Sequence, residues 1–184
     1  MTVTINNLEP QSGTEIVFNA AHQMQHQGKV VQTQTVTTHV RTTYSSNNSG
    51  NGNVITQLNL LITPYRADSY IWLRWTVAYE MHQDNVFLVQ RDGTLIGYNT
   101  DHGNSRWSGL VTPQYDNDYS STPQVSTINW FDLAGSTAAR TYQLAVRSSG
   151  GSNHTFALNR TLGNAGADGN EIGVSHGIAR EISG

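Results

Sequence analysis

The chain has 184 residues, enough for one domain with a sizeable core, and no cysteine, so it contains neither disulfides nor thiolate metal sites. A net charge of −3 argues against nucleic-acid binding, and no apolar run approaches the length of a membrane span. The first residues show no secretion-signal pattern. Charged residues are only 12% of the chain, and the abundant Thr, Ser, Asn and Gly favour strands and turns over helices.

Residues 1–28 differ from the rest because they are polar and show no sustained alternation. One helix-like patch, NAAHQMQHQG, has Asn19 as a candidate cap and Gly28 as its end. A single short helix cannot bury itself, so we interpret 1–28 as an N-terminal arm that needs another surface. Its apolar residues are the candidate arm contacts: Ile5, Leu8, Ile16, Val17, Phe18 and Met24.

From Lys29 onward a period of two indicates strands, and we assign 29–184 to one β domain. The stretch KVVQTQTVTTHV is β-branched and polar, typical of an exposed or partner-paired strand. Two later strands, VITQLNLLI and YIWLRWTVAYEM, alternate strongly enough to predict one buried face each. These faces are Val54, Thr56, Leu58, Leu60 and Ile62 in the first, and Ile71, Leu73, Trp75, Val77, Tyr79 and Met81 in the second.

The stretch NVFLVQRDGTLIGY predicts a hairpin, since Asp92-Gly93 supplies the positive-φ residues of a tight turn. Turn formers dominate residues 99–124, with a possible strand around Ser105 to Val111. Three more strands follow: VSTINWFDL, RTYQLAVRS and HTFALNR. This pattern predicts an all-β fold, an antiparallel jelly-roll β-sandwich with an extended N-terminal arm carrying at most one short helix.

The closing stretch HTFALNRTLGNAGADGNEIGVSHGIAREIS predicts a last hairpin of two alternating segments. The final strand is bulky on one face and nearly bare on the other, where Gly173, Ser175, Gly177, Ala179 and Glu181 lie. A bare face lets a second backbone approach closely. That neighbour is either the opposite sheet or another subunit.

Gly173-Val174-Ser175-His176-Gly177 matches G-x-S-x-G, the serine hydrolase elbow. That elbow needs a strand-to-helix turn and a histidine further along the chain. Only seven residues follow Gly177, and they include no histidine. In a strand His176 points away from Ser175. We therefore interpret the motif as part of a strand and predict no catalytic residues and no enzyme activity.

Metal-binding patterns are incomplete in this sequence. His22 and His26 have the i, i+4 spacing of a zinc pair, but no third ligand is evident nearby. The acidic turns 116–118 and 168–171 lack the spacing of a calcium loop, and Asx turns account for them. We predict no metal site and no cofactor.

A group of aromatic residues lies within or beside the long loop region, among polar residues. It comprises Tyr98, Trp107, Tyr115 and Tyr119, with Arg106 between them. Such residues stack on sugar rings or anchor protein interfaces. The alternative is that they plug the ends of the sandwich. Both interpretations stay open from the sequence.

The segments HTFALNRT and EIGVSHGIAREI resemble the end of small jelly rolls in bacteriophage virion proteins, both tail-fibre ends and capsid decorations. GKVVQTQTVTTHVRTTYSS, ITQLNLLITP and DNVFLVQRDGTLIG fit the same pattern over about residues 29–182. These proteins belong to the trimeric jelly rolls related in shape to tumour necrosis factor domains. The chain resembles proteins of phages of aquatic bacteria, such as cyanobacteria, more than it resembles cellular proteins.

The resemblance implies a homotrimer, a location in the virion after assembly in the host cytoplasm, and a non-enzymatic role. A short arm with one compact knob suits a capsid cement protein whose arm clamps neighbouring subunits of the major capsid protein. The alternative is a tail-fibre or head-fibre tip, carried by a tail adaptor and binding a host receptor or surface glycan. Neither nucleic acid nor membrane is an expected partner. The polar first strand and the bare face of the last strand also favour subunit contacts.

Overall fold

A computed structural model describes residues 27–99, 108–115, 121–148, 152–163 and 171–184. They form an all-β sandwich of two antiparallel sheets, as the alternation and composition predicted. The predicted arm and its helix lie outside the described residues, apart from 27 and 28. The strands are β1 (Val30–Thr38), β2 (Thr42–Ser46), β3 (Asn53–Val54), β4 (Leu60–Ile62), β5 (Tyr70–Met81), β6 (Asn85–Arg91), β7 (Thr94–Gly97), β8 (Gln124–Leu133), β9 (Arg140–Ser148), β10 (His154–Leu158) and β11 (Ser175–Ile182).

Strand β5 is the centre of the six-stranded sheet. Along one edge it pairs with β8 from Tyr70 to Tyr79. Along the other edge, β11 pairs with its first half and β10 with its last residues. Strands β1 and β2 then pair with β11 and β10, respectively. On that side of β5, β10 and β11 therefore lie end to end, and β1 and β2 lie end to end beyond them.

The five-stranded sheet is built around β9, which pairs with β6 on one edge and with β3 and β4 on the other. Strand β7 completes it as the partner of β6. The predicted hairpin turn is confirmed, since Asp92 and Gly93 have φ values of 52° and 79°. Both central residues occupy the left-handed region, which is the requirement of a type I′ turn.

The core lies between the two sheets, and the prediction for β5 is confirmed. Its six alternating residues from Ile71 to Met81 are all buried. The Trp75 indole is fully buried, and its Nε1 donates a hydrogen bond to the Leu58 carbonyl at 2.9 Å. This bond satisfies the one polar atom of the largest core side chain.

The prediction of one continuous strand over residues 54–62 is wrong. The segment is split into β3, a 3-10 turn at Thr56–Leu58, and β4. Because the turn changes the phase of the alternation, Ile55 and Leu58 are both fully buried while Thr56 is exposed. Leu58, Leu60 and Ile62 are in the core as predicted.

The prediction of a terminal hairpin is also wrong. Strands β10 and β11 both run antiparallel to β5 and share no ladder; their connection is closed by one isolated bridge between Arg160 and Ile172. Pairing with the long central strand offers both segments a partner whose inner face is buried in the core, which a two-stranded hairpin lacks.

The bare face of β11 points into its own sandwich. Ser175, Ala179 and Glu181 are fully buried. A Cβ at Gly177 would lie 2.6 Å from Cδ1 of Trp75, so only glycine lets the indole pass there. The neighbour that approaches this face is therefore the protein's own core, and the face gives no support to a subunit contact.

In the loop region, residues 108–111 form no strand. Val111 makes only an isolated bridge to Phe87, and the Leu110 N–H donates to the Phe87 carbonyl at 2.8 Å. The rest of the strand predicted at Ser105 to Val111 lies outside the described residues.

Candidate interaction surfaces

The part of the outer face of the five-stranded sheet that lies over β6 and β9 is covered by the protein's own loops. Val86, Leu88 and Ala145 point outward there, yet none is more than 4% exposed. Arg147 ties the cover down, since its Nη1 donates to the Gly50 carbonyl and its Nη2 to the Ser108 carbonyl, both at 2.8 Å. Burial in this position lowers the pKa of the Arg147 guanidinium.

The outer face of the six-stranded sheet carries large apolar side chains in the open. We call the following residues the aromatic face: Tyr70 and Trp72 on β5, Phe131 and Leu133 on β8, and Arg180 and Ile182 on β11. Cross-strand pairing places them side by side, because Trp72 is opposite both Phe131 and Arg180 and Tyr70 is opposite both Leu133 and Ile182. Phe131 is 58% exposed, and Tyr70 and Leu133 are each 50% exposed.

The rings of the aromatic face are ordered by stacking. The Trp72 and Phe131 ring centroids lie 6.1 Å apart with planes inclined by 13°. On the opposite side of Trp72, the Arg180 guanidinium carbon is 5.1 Å from the ring centroid, within cation–π range. An apolar, pre-arranged patch with an arginine has the composition of an interface hot spot.

The residues of the aromatic face form one contiguous apolar surface over three strands, unlike the isolated apolar residues that are common on protein surfaces. A solvated sheet face normally alternates its apolar residues away from water. The aromatic face inverts this rule at one end of the sheet. Sequence analysis missed it, although Tyr70, Phe131 and Leu133 are visible in the alternation as apolar residues on the side opposite the core.

The predicted loop aromatics divide between separate places. Tyr98 packs on the outer face of the five-stranded sheet with the Val86 and Leu88 cluster. Tyr115 is 43% exposed, and a hydrogen bond to the Asp84 carboxylate raises the pKa of its phenol. Arg106, Trp107 and Tyr119 lie outside the described residues.

The serine of the G-x-S-x-G motif closes the gap between β10 and β11. The Ala78 N–H donates to Ser175 Oγ at 2.9 Å, and Ser175 Oγ donates to Asn159 Oδ1 at 2.6 Å. The Asn159 amide donates to the carbonyls of Thr38 and Val40 at 2.9 and 3.0 Å. Asn159 itself has a φ of 55°, which asparagine tolerates. These side chains replace ladder bonds where one strand stops and the next begins.

Two carboxylates that sequence analysis did not single out are fully buried, Glu80 and Glu181. Glu181 accepts the N–H groups of Tyr65 and Arg66, and the Gln32 amide at 2.6 Å. Glu80 accepts the N–H groups of Thr122 and Leu162. Each carboxylate therefore fixes loops to the six-stranded sheet.

One open cavity of about 280 Å³ lies at the other end of the six-stranded sheet. Val125 and Ile172 form its apolar rim and are 69% and 66% exposed, while Arg160 and Glu171 supply both charges. Glu171 accepts a hydrogen bond from Ser121 Oγ at 2.7 Å, which lowers the pKa of its carboxyl. The cavity has the mixed lining of a small binding site.

Within the described part of the chain, no three His, Asp or Glu side chains are grouped to hold a metal ion. The pair His22 and His26 and the acidic turns 116–118 and 168–170 lie outside it. No helix in the described ranges is long and apolar enough to cross a membrane. No protein-family model matches the chain, and no curated protein matches it.

Proposed function

We propose that the protein is a bacteriophage virion structural protein, a homotrimeric capsid cement or decoration protein. Its arm (1–28) clamps neighbouring subunits of the major capsid protein, and its β domain forms the displayed knob. The observation that carries the proposal is the aromatic face, an ordered apolar patch that stays exposed, whereas loops cover the Val86 and Leu88 cluster on the other outer sheet face. A face of this kind is suited to permanent subunit contact.

We also propose that the sandwich is a jelly roll. Its support is the nesting of the strand pairs: β1 with β11, β4 with β9, β5 with β8, and β6 with β7. First pairs with last and each inner pair lies within the previous one, as in a folded double strand wrapped into two sheets. Strands β2, β3 and β10 extend this arrangement at its ends.

The trimer contact uses the aromatic face. A threefold ring needs heterologous contacts, so the aromatic face of one copy packs on a different surface of the next copy. In this contact Tyr70, Phe131 and Leu133, which are about half exposed in the single subunit, lose their remaining contact with water. At roughly 25 cal/mol per Å² of apolar surface, such anchors supply several kcal/mol per interface.

The arm leaves the knob at the start of β1. The Gly28 N–H donates to the Ser183 carbonyl at 2.8 Å, so the point of departure is fixed to the residue that follows β11. Three arms joined through one trimer act with a high effective concentration, and simultaneous release is improbable even when each arm binds weakly. This is how a small protein reinforces the seams of a pressurised shell.

Imaging of whole particles tests the proposal. We expect hundreds of copies on the capsid, over local threefold positions. Deletion of 1–26 is expected to abolish attachment to particles while light scattering still reports a trimer. Attachment that survives this deletion, or a location away from the capsid, contradicts the cement role.

The alternative function is a fibre-tip module that binds a receptor or glycan. The exposed Tyr115 and the cavity between Val125 and Ile172 favour it. Copy number separates the two functions, because a fibre protein is present in a few tens of copies or fewer. In that case substitution of Val125 by arginine weakens adsorption to host cells and leaves the particles intact.

A further inference from the structure

The free edge of β1 is unprotected. In the described part of the chain β1 pairs only with β11, so alternate residues along its other edge leave main-chain N–H and C=O groups unpaired. Its nine residues, VVQTQTVTT, contain no charge and no proline. Natural edge strands usually carry a charged residue or a proline, which prevents another strand from pairing with the free edge. Strand β8, which lies at the opposite side of the sheet, has Asp132 pointing inward.

The flanks of this edge are cationic. Between residues 29 and 41 the chain has Lys29, His39 and Arg41 and no acidic residue. Two β1 edges paired antiparallel in full register would place Lys29 of one copy diagonal to Arg41 of the other, two residues from the position directly opposite. Like charges at cross-strand positions are destabilising. The edge therefore favours an acidic or neutral strand over a second copy of itself.

The arm has the complementary composition. Residues 1–26 contain Glu9 and Glu15 and neither lysine nor arginine. Thr2-Val3-Thr4-Ile5 is an alternating β-branched stretch like the edge itself, and Thr–Thr and Thr–Val neighbours are favourable cross-strand pairs. We propose that this stretch adds a seventh strand to β1 of a neighbouring copy, by β-augmentation.

The neighbouring copy, rather than the same copy, is the acceptor. A tight return onto its own β1 would require residues 19–26, NAAHQMQH, to form the added strand, and these residues favour helix over strand. With 19–26 helical and the rest extended, the chain from Gln27 back to Ile5 reaches about 60 Å, against a radius of gyration of about 15 Å for a domain of this size. The stretch therefore reaches past its own knob.

This inference rests on the proposed role of the arm as the attachment device and adds a second partner for it. The tip of the arm, residues 2–5, joins decoration subunits to one another, and residues 6–28 remain for the capsid surface. The result is a net of knobs linked by main-chain hydrogen bonds.

Cross-linking between two singly substituted proteins tests the inference, because the chain has no cysteine of its own. Thr4→Cys protein is mixed with Thr35→Cys protein, and a short bis-maleimide reagent is added. We expect at least a tenfold higher yield of the mixed dimer than with Thr127→Cys, an exposed threonine on β8 of the same sheet. Glu9→Lys with Glu15→Lys in the Thr4→Cys protein is expected to lower the yield several-fold at low salt.

Three results overturn the inference. They are equal yields with Thr35→Cys and Thr127→Cys, a predominant Thr35→Cys homodimer, and a purely intramolecular product in the Thr4→Cys/Thr35→Cys double variant. The proposed function is judged separately, from attachment to particles. If the protein attaches to particles but the cross-link does not form, the cement role stands and the pairing of residues 2–5 with β1 is wrong. If the cross-link forms but the protein does not attach, the pairing stands and the cement role is wrong.

Discussion

The two outer faces of the sandwich both carry apolar side chains, but these are covered by loops on one face and exposed on the other. On the five-stranded sheet, Val86 and Leu88 lie beneath the loops that Arg147 ties down. On the six-stranded sheet, Phe131 and Leu133 are at least half exposed. The protein's own loops cover Val86 and Leu88 on the first face, whereas no loop among the described residues covers Phe131 and Leu133 on the second.

This difference separates two uses of apolar surface. A side chain sealed by its own loops contributes to the stability of the single subunit. An exposed ring contributes little to that stability, because it keeps most of its contact with water. It becomes stabilising only when another chain covers it. Substitutions on the two faces are therefore expected to change different quantities.

Leu88→Asp is expected to have the largest effect. Leu88 is fully buried, so the new carboxylate would be desolvated without a partner, and the free energy of unfolding falls by more than about 4 kcal/mol. Leu61→Asp is the matched control, because Leu61 lies in the same sheet but is 63% exposed. Circular dichroism during thermal unfolding measures both. Equal losses in the two variants would show that the loops over Leu88 contribute nothing to the stability of the single subunit.

Phe131→Asp is expected to change assembly instead of folding. Phe131 stacks on Trp72 at the centre of the aromatic face, so a charge there opposes burial against another copy. We expect the mass from sedimentation to fall from a trimer to a monomer, while the free energy of unfolding of the monomer changes by less than about 1 kcal/mol. Val125→Asp, on the same strand and 69% exposed, is the control that keeps the trimer. A trimer that survives Phe131→Asp would place the subunit contact elsewhere.

Sequence analysis predicted the strands whose alternation is set by local burial. In β5 every second residue is apolar, and the register fixed which face entered the core. The turn at Asp92-Gly93 was predictable because positive φ values narrow the choice of residues. Such features depend on a few neighbouring residues, which the sequence displays directly.

The errors arose where partners are distant in the chain. The last two strands look like a hairpin by proximity, yet each gains more from pairing with β5, whose paired residues lie 75 to 112 positions earlier in the chain (156 − 81 and 182 − 70). Ser175 belongs to the same class, because its partners Ala78 and Asn159 become neighbours only in the folded sheet. The aromatic face was missed for a related reason: it spans three strands, and none of them carries the pattern alone.

The smallest predicted effect is on stability at alkaline pH. It tests whether water is excluded from the end of the core that lies beneath the aromatic face. Tyr142 is fully buried and donates to Asp132 Oδ2 at 2.7 Å, on the inner side of the strand that carries Phe131. Burial, together with the nearby carboxylate, raises the pKa of the Tyr142 phenol. Unfolded tyrosine loses its proton near pH 10, so above that pH the native state binds more protons than the unfolded state. Stability present below about pH 10 is then lost as the pH rises.

Tyr142→Phe removes this titration, at a cost near neutral pH of about 0.5–1.5 kcal/mol for the lost hydrogen bond. Asp132 keeps its ion pair with Arg91 at 2.8 Å in the variant, so the carboxylate remains satisfied. Between pH 9 and 12 the free energy of unfolding is expected to fall less steeply in Tyr142→Phe than in the parent, measured by urea unfolding at each pH. Tyr79, whose pKa is also raised by burial, keeps the variant's slope from reaching zero. Parallel curves would mean that solvent already reaches the Tyr142 hydroxyl from the side of the aromatic face, and that this end of the sandwich opens before the rest.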